Sequence, residues 1–482
     1  MRRPAHLASG LQRSGLLLKG MGWLSLLYSV ILVGVGWWIS RRRGTDLAAF
    51  YNARRQAHWA GVGLSMIGTA ISGLTFLSLP GSVNKDGWTY LQVLSGYLVG
   101  YTLVAFVLLP RYYCLSQASI YEYFGHRLGR PAEKVAAFIF LLSRLLASSV
   151  RLYLALMVIH LFFPEVPFPV LGFISLVLIY GYAERGGTGT IIYTDIIQAL
   201  VFLGTAGLTL GYVWSPEVWK AFQIPKIIDD HPESRHYFWK DFLGGVLLAF
   251  TMTGLDQDQM QKSLSMPDVF AAQRMIILYA ALLVPVKLLF LTLGSALWAY
   301  VEVYDYPAPV RSDQLYASLA RDRFPFWISG LFAIGLVSAT LSSVDGAMIA
   351  LTTVTLRNLL PAKQETLPLK RLIFVFWLLM GWGLTVYFYY FPPALHALDT
   401  FLKLGSYTYG PLMGLFIFSI LTGEGRQSDY RFVPWVVLVA FGFSLALERQ
   451  LGMDWGYGVI VWVAGWTVVC LVGVQWVLRK VR

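Results

Sequence analysis

Long apolar runs alternate with short polar stretches along this chain, at residues 21–39, 58–81, 88–110, 133–162, 168–183, 191–214, 239–260, 273–303, 326–356, 369–392, 399–421, 431–448 and 455–478. A helix of about 20 residues crosses a ~30 Å hydrocarbon core, and these runs have that scale. Hydrocarbon offers peptide groups no water, so runs of this kind predict helices that satisfy their own backbone. The expectation is an all-α polytopic membrane protein with about 13 transmembrane helices.

Composition fits that class. Hydrophobic residues make up 57% of the chain and charged ones 13%, where a soluble protein carries roughly 25% charged residues. The net charge of +12 does not imply nucleic acid, because the basic residues lie between apolar runs rather than in an aromatic-interleaved patch. They concentrate in alternate loops, at Arg41, Arg42, Arg43, Arg54, Arg55, Arg127, Arg130, Lys370, Arg371 and the tail of Arg479, Lys480 and Arg482. Positive loops stay in the cytoplasm, so a plasma (inner) membrane protein is expected, with its N-terminus outside and its C-terminus inside. Residues 1–20 form a basic extension that runs against this orientation, with Arg2, Arg3, Arg13 and Lys19. Met21 directly precedes the first run, so a start there would leave the extension untranslated; no small-residue cleavage site follows to suggest a signal peptide.

Other chemistry is thinly represented. Cys114 and Cys470 have no CxxC spacing for a disulfide framework or a zinc site. No HExxH, GxxxxGK[ST] or GxSxG pattern occurs, so neither catalysis nor ATP coupling is expected, and no cofactor. Lipid is an implied partner; no obligatory protein partner is indicated.

Interruptions in the runs say more. The second run holds Gly68, Gly73, Pro80 and Gly81 among small hydroxyl residues, which suits either unwinding at mid-membrane or close packing through small residues. Ionisable residues in apolar runs are functional candidates because their burial is costly. Asp195 is one. Asp345 is another, close to Ser338, Thr340, Ser342 and Ser343. Those hydroxyls suit a small hard cation, or alternatively bond back to carbonyls of their own helix. Arg144 and Arg151 share one helix face; Lys287 sits where its stem can snorkel. Residues 256–262 (DQDQMQK) read as the polar end of the seventh helix, with a gate element as the alternative.

Several segments together resemble the sodium:solute symporter family. They are residues 49–55 (AFYNARR), the glycine-rich second run, 119–129 (SIYEYFGHRLG), 186–187 (GG), 193–198 (YTDIIQ), 254–262 (GLDQDQMQK), 341–345 (LSSVD) and 409–411 (YGP). The resemblance implies an inverted repeat of five plus five helices, over 58–214 and 239–421, preceded by the helix at 21–39 and followed by two at 431–478. It implies a sodium ion held by Gly68, Ile71, Ala339, Ser342 and Ser343; a register shifted by three would substitute Leu336, Ala339 and Thr340. A second cation site at Asp195 would draw on Asp345, where some members have hydroxyls.

The resemblance further implies sodium-coupled uptake of a small solute by alternating access. Thr75, Gln92, Arg151 and Lys403 are the candidate cavity residues. Lys403, eight residues before Pro411, stands where sugar carriers of the family have a glutamine. With Arg151 it points to a small organic or inorganic anion. A sugar or polyol symporter and a transporter-like solute sensor are the alternatives.

Overall fold

The computed structural model describes residues 5–71, 73–115, 118–307, 309, 311–392, 397–422, 430–451 and 458–481. Its principal helices are α1 (Ala5–Arg43), α2 (Trp59–Ala70), α3 (Gly73–Asp86), α4 (Tyr90–Leu103), α5 (Arg130–Phe162), α6 (Phe168–Gly186), α7 (Thr188–Val213), α8 (Phe238–Gly254), α9 (Gln257–Ser263), α10 (Val269–Val303), α11 (Phe326–Val354), α12 (Leu367–Tyr390), α13 (Ala397–Leu421), α14 (Val433–Leu451) and α15 (Gly458–Val481). Every predicted run overlaps at least one of them. Among the described residues nine helices are long and apolar enough to cross a membrane, or ten when α2 and α3 count as one bent span. Helix α1 runs on through the basic stretch before Met21.

Burial follows role. Helix α11 is enclosed along most of its length, whereas α1 and α12 expose Trp23, Trp38, Leu372 and Phe376, as helices facing lipid tails do. Helix α11 is the one that the others surround, and its hydroxyls and Asp345 are buried with its apolar residues.

Glycines set the closest approaches. A Cβ on Gly96 would lie 2.0 Å from the Phe242 carbonyl oxygen, and one on Gly245 would lie 2.1 Å from that of Val93. Helices α4 and α8 therefore pack backbone against backbone. That contact fixes α8, and with it the position at which α8 ends.

Candidate functional site

Helix α2 ends at Ala70 because Ile71 leaves the helical region, with φ −98° and ψ 89°. The chain then bends by 62° into the next helical segment. A helix end releases carbonyls that need partners, and here one lies on α11: Ser342 Oγ donates to the Gly68 carbonyl over 3.0 Å. Gly68 permits the approach on its other side, where a Cβ would lie 2.6 Å from the Asp195 carbonyl oxygen. Ser342 Oγ is also 3.4 Å from the Ala339 carbonyl oxygen, and Ser343 donates to the Thr340 carbonyl over 2.9 Å.

Gly68, Ala339 and Ser342 are thus brought together, with Ser343 beside them and Ile71 at the break. Thr340, the alternative in the shifted register, donates to Leu336 over 2.6 Å and faces the start of α3 at Gly73. The serine hydroxyls bond their own helix, and Ser342 also reaches α2. A hydroxyl whose proton goes to a carbonyl keeps its lone pairs available for a cation. The donor set is neutral oxygen, which fits sodium.

A second break corrects the sequence reading. Residues 256–262 are not a polar helix end: every residue of α9 is buried. The helix expected to continue to residue 260 stops at Gly254 and restarts at Gln257. Asp256, in an extended conformation, forces the restart by capping α9, its Oδ1 accepting from the amides of Asp258 at 2.8 Å and Gln259 at 3.4 Å. The carbonyls released from α8 go to Tyr112 and Tyr121, whose hydroxyls donate to Gly254 and Leu255 over 3.0 Å each. Gln257 anchors the restart, accepting from the Ile120 amide and donating to the Ala118 carbonyl.

Buried charges knit the two breaks together. Arg144 on α5 pairs with Asp256, at 3.2 Å, and with Asp258. Tyr409 on α13 donates to Asp256. Lys262 on α9 pairs with Asp195 on α7 and donates to Thr69 on α2. Ser65 and Thr69 donate to the same Asp195 oxygen over 3.2 and 3.3 Å. An ammonium group therefore stands against the carboxylate expected to serve a second cation. Asp195 Oδ1 has no hydrogen-bond partner among the described residues. Asp345 accepts from the Tyr182 hydroxyl over 2.8 Å, and no hydrogen bond joins it to Asp195 among the described residues.

A cavity of about 250 Å³ begins at Thr69, Ala70 and Asp256, beside both breaks, and runs to Asp86, His236 and Asp241 at one face of the bundle. Thr75 and Arg151 line it as expected, together with Arg144 and Lys287. Gln92 is corrected: it is buried, and its amide holds the loop before α8. It donates to the His236 carbonyl and to Asp241, and accepts from the Asp229 amide. The Lys403 side chain lies outside the described residues.

The opposite face is tied shut. Arg357 joins Glu122 at 2.9 Å to Glu365 at 3.1 Å, Tyr51 donates to Glu365, and Lys370 pairs with Glu184 at 2.8 Å.

Two interrupted helices beside a cavity that opens at one face of the bundle fit the architecture of a secondary transporter. The model of the sodium:solute symporter family matches residues 50–380, and the chain belongs to that family of sodium-coupled symporters, which are not enzymes. It is 24% identical to the human sodium/iodide cotransporter over 88% of this chain and 68% of that protein. It is 23% identical to a sodium/sialic acid symporter of Proteus mirabilis over 90% of each. The rabbit sodium-dependent multivitamin transporter is 27% identical over 74% of this chain, but the match spans 58% of that protein's length. A substrate-bound, outward-open Na+-coupled sialic acid symporter superposes with a TM-score of 0.78 at 18% identity, over 95% of this chain and 98% of that one.

Two outcomes follow from these contacts. Lys262→Met and Asp195→Asn should each cost roughly 3–5 kcal/mol by stranding a buried charge, and the double variant should recover much of that loss. Thermal unfolding of purified protein measures it, and additive losses would contradict the pairing. His236 lies 3.1 Å from Asp241 and 3.4 Å from Asp86; these carboxylates, Asp241 foremost, raise its pKa to about 9. The contact contributes fully below the ordinary value of about 6.5 and is lost as pH rises through about 9. The stability difference between wild type and His236→Gln should therefore shrink from pH 7 to pH 10, and a constant difference would contradict it.

Proposed function

We propose that the chain is a secondary active symporter that couples sodium entry to the import of a small anionic solute by alternating access. The observation that carries this reading is the meeting of the Gly68 carbonyl with Ser342 at the break after α2, directly beside the cavity. In this reading sodium is held by the carbonyls of Gly68, Ile71 and Ala339 and the hydroxyls of Ser342 and Ser343. Its charge ties α2 to α11 and so favours the arrangement in which the cavity beside them is formed. Solute enters from the face of Asp86 and His236. Release needs the Arg357 and Lys370 ion pairs on the other face to part.

The architecture proposed is thirteen crossings with an inverted repeat of five plus five helices. The interrupted units α2–α3 and α8–α9 then begin the two repeats, which is where inverted-repeat transporters place broken helices. Positive loops support an N-terminus outside and a cytoplasmic C-terminus in the plasma membrane, so the cavity opens outward. Lys262 supplies the cation at Asp195, which favours one sodium ion, and Asp345 remains the candidate for a second cation or a proton.

Two observations favour an anion. Arg151 lines the cavity, and similar proteins are named for iodide, sialic acid and monocarboxylates, all anions. A neutral sugar is less well served, because the Gln92 amide is committed to the loop before α8. Lys403 remains part of the proposal on its sequence position alone.

Reconstituted protein should take up iodide or pyruvate under an inward sodium gradient. Replacing Ser342 and Ser343 with Ala should lower sodium-dependent uptake at least about tenfold, the equivalent of ~1.4 kcal/mol, without changing elution from a sizing column. Equal wild-type uptake in sodium-free buffer would remove the sodium claim.

A further inference from the structure

The charges around the cavity are compensated almost everywhere. Arg144 is shared by Asp256 and Asp258, and His236 lies between Asp86 and Asp241. Arg151 and Arg235 also have interaction partners. Lys287 on α10 differs. It lines the same cavity at 3% exposure, and none of the ion pairs among the described residues includes it. Its recorded contact is the Tyr90 ring, whose centroid is 5.1 Å from the ammonium nitrogen. Removing an ammonium from water costs several kcal/mol, and one cation–π contact returns about 1–2 kcal/mol. The remainder calls for an anion.

Packing fixes the depth of this lysine. Helix α10 runs parallel to α2 and α3: Gly63 abuts Met275 and Leu278, and Gly294 abuts Pro80. Lys287 lies between those two contacts, so it falls at the level of the break where α3 begins. The first turn of α3 has amides without helical partners and the positive end of its dipole. Thr75, in that turn, lines the cavity. An unneutralised ammonium and a helix N-terminus thus converge at one depth. About two turns before Lys287 on α10, Tyr279 meets Tyr101 with hydroxyl oxygens 3.3 Å apart, and both rings line the same cavity.

We propose that Lys287 is the anion-binding residue of the solute site, receiving the carboxylate or halide charge of the solute at the level of the break. The inference rests on the anion-symport reading and names the group that selects for charge. An ammonium is a compact charge with three freely rotating donors, unlike the planar fork of arginine. Such a group demands one negative centre and little fixed geometry around it. A small monoanion therefore fits, and the tyrosines admit an apolar remainder. A neutral analogue brings no counter-charge to the ammonium and forgoes the pairing that an anion gains, so the site discriminates by that difference.

The test is uptake of radiolabelled iodide and pyruvate into proteoliposomes under an inward sodium gradient, with 22Na+ binding to the same preparations as the second readout. Lys287→Met should raise KM for the transported anion at least about tenfold and leave 22Na+ binding within twofold of wild type. Lys287→Arg, which keeps the charge, should remain within a few-fold of wild type and shows that the position tolerates substitution. An unchanged KM in Lys287→Met overturns this inference and leaves anion symport standing. A parallel loss in both variants together with lost 22Na+ binding makes the residue structural and also overturns it. If wild type takes up neither anion in a sodium-dependent way, the anion reading falls and the inference falls with it.

Discussion

Backbone groups released where a helix stops inside a membrane must find partners in the protein, and that requirement organises this molecule. Every unpaired amide or carbonyl in hydrocarbon costs several kcal/mol. At the end of α2 the Gly68 carbonyl is met by Ser342. At the end of α8 the carbonyls of Gly254 and Leu255 are met by two tyrosines, while Asp256 and Gln257 cap and anchor the restart. Asp256, which caps the restart, also lines the cavity that lies beside both breaks.

The charged residues serve the same end. Arg144 joins α5 to the second break and to the start of α9, and Lys262 joins α9 to α7 and α2. A buried pair of this kind contributes little net stability against an apolar substitute, yet removing one partner is expensive. Its value here is specificity of position: two interrupted helices from distant parts of the chain are held in one arrangement. The ion pairs of Arg357 and Lys370 at the opposite face are partly or wholly sheltered. They join elements at the face away from His236, whereas the cavity reaches the face of Asp86 and His236.

Much of the helix plan was legible in the sequence, because the apolar runs are long and the loops short. The first break was one of two readings that Gly68 and Gly73 among hydroxyl residues left open, and the chain leaves the helix at Ile71 between them. The second break was not legible, since residues 239–254 are apolar enough to suggest that the polar stretch after them reaches water. The overlooked signal is Asp256 followed by Asp258 and Gln259, an N-cap in the middle of a presumed helix. Gln92 was named as a cavity residue, but a rotation of about 100° per residue turns it away from Tyr90 and Val93, which line the cavity. The Asp195–Lys262 pair depends on tertiary geometry between segments far apart in sequence, and nothing local announces it.

In the proposed symporter sodium and solute bind interdependently around the break after α2. Linkage makes that claim measurable, because two ligands that share a conformational equilibrium must change each other's affinity by the same factor. Sodium affinity of the purified chain, determined with and without saturating iodide or pyruvate, and the anion's affinity determined with and without sodium, close the cycle. The predicted result is that each ligand tightens the other by one common factor. Sodium affinity that is the same in the presence and absence of either anion would contradict it.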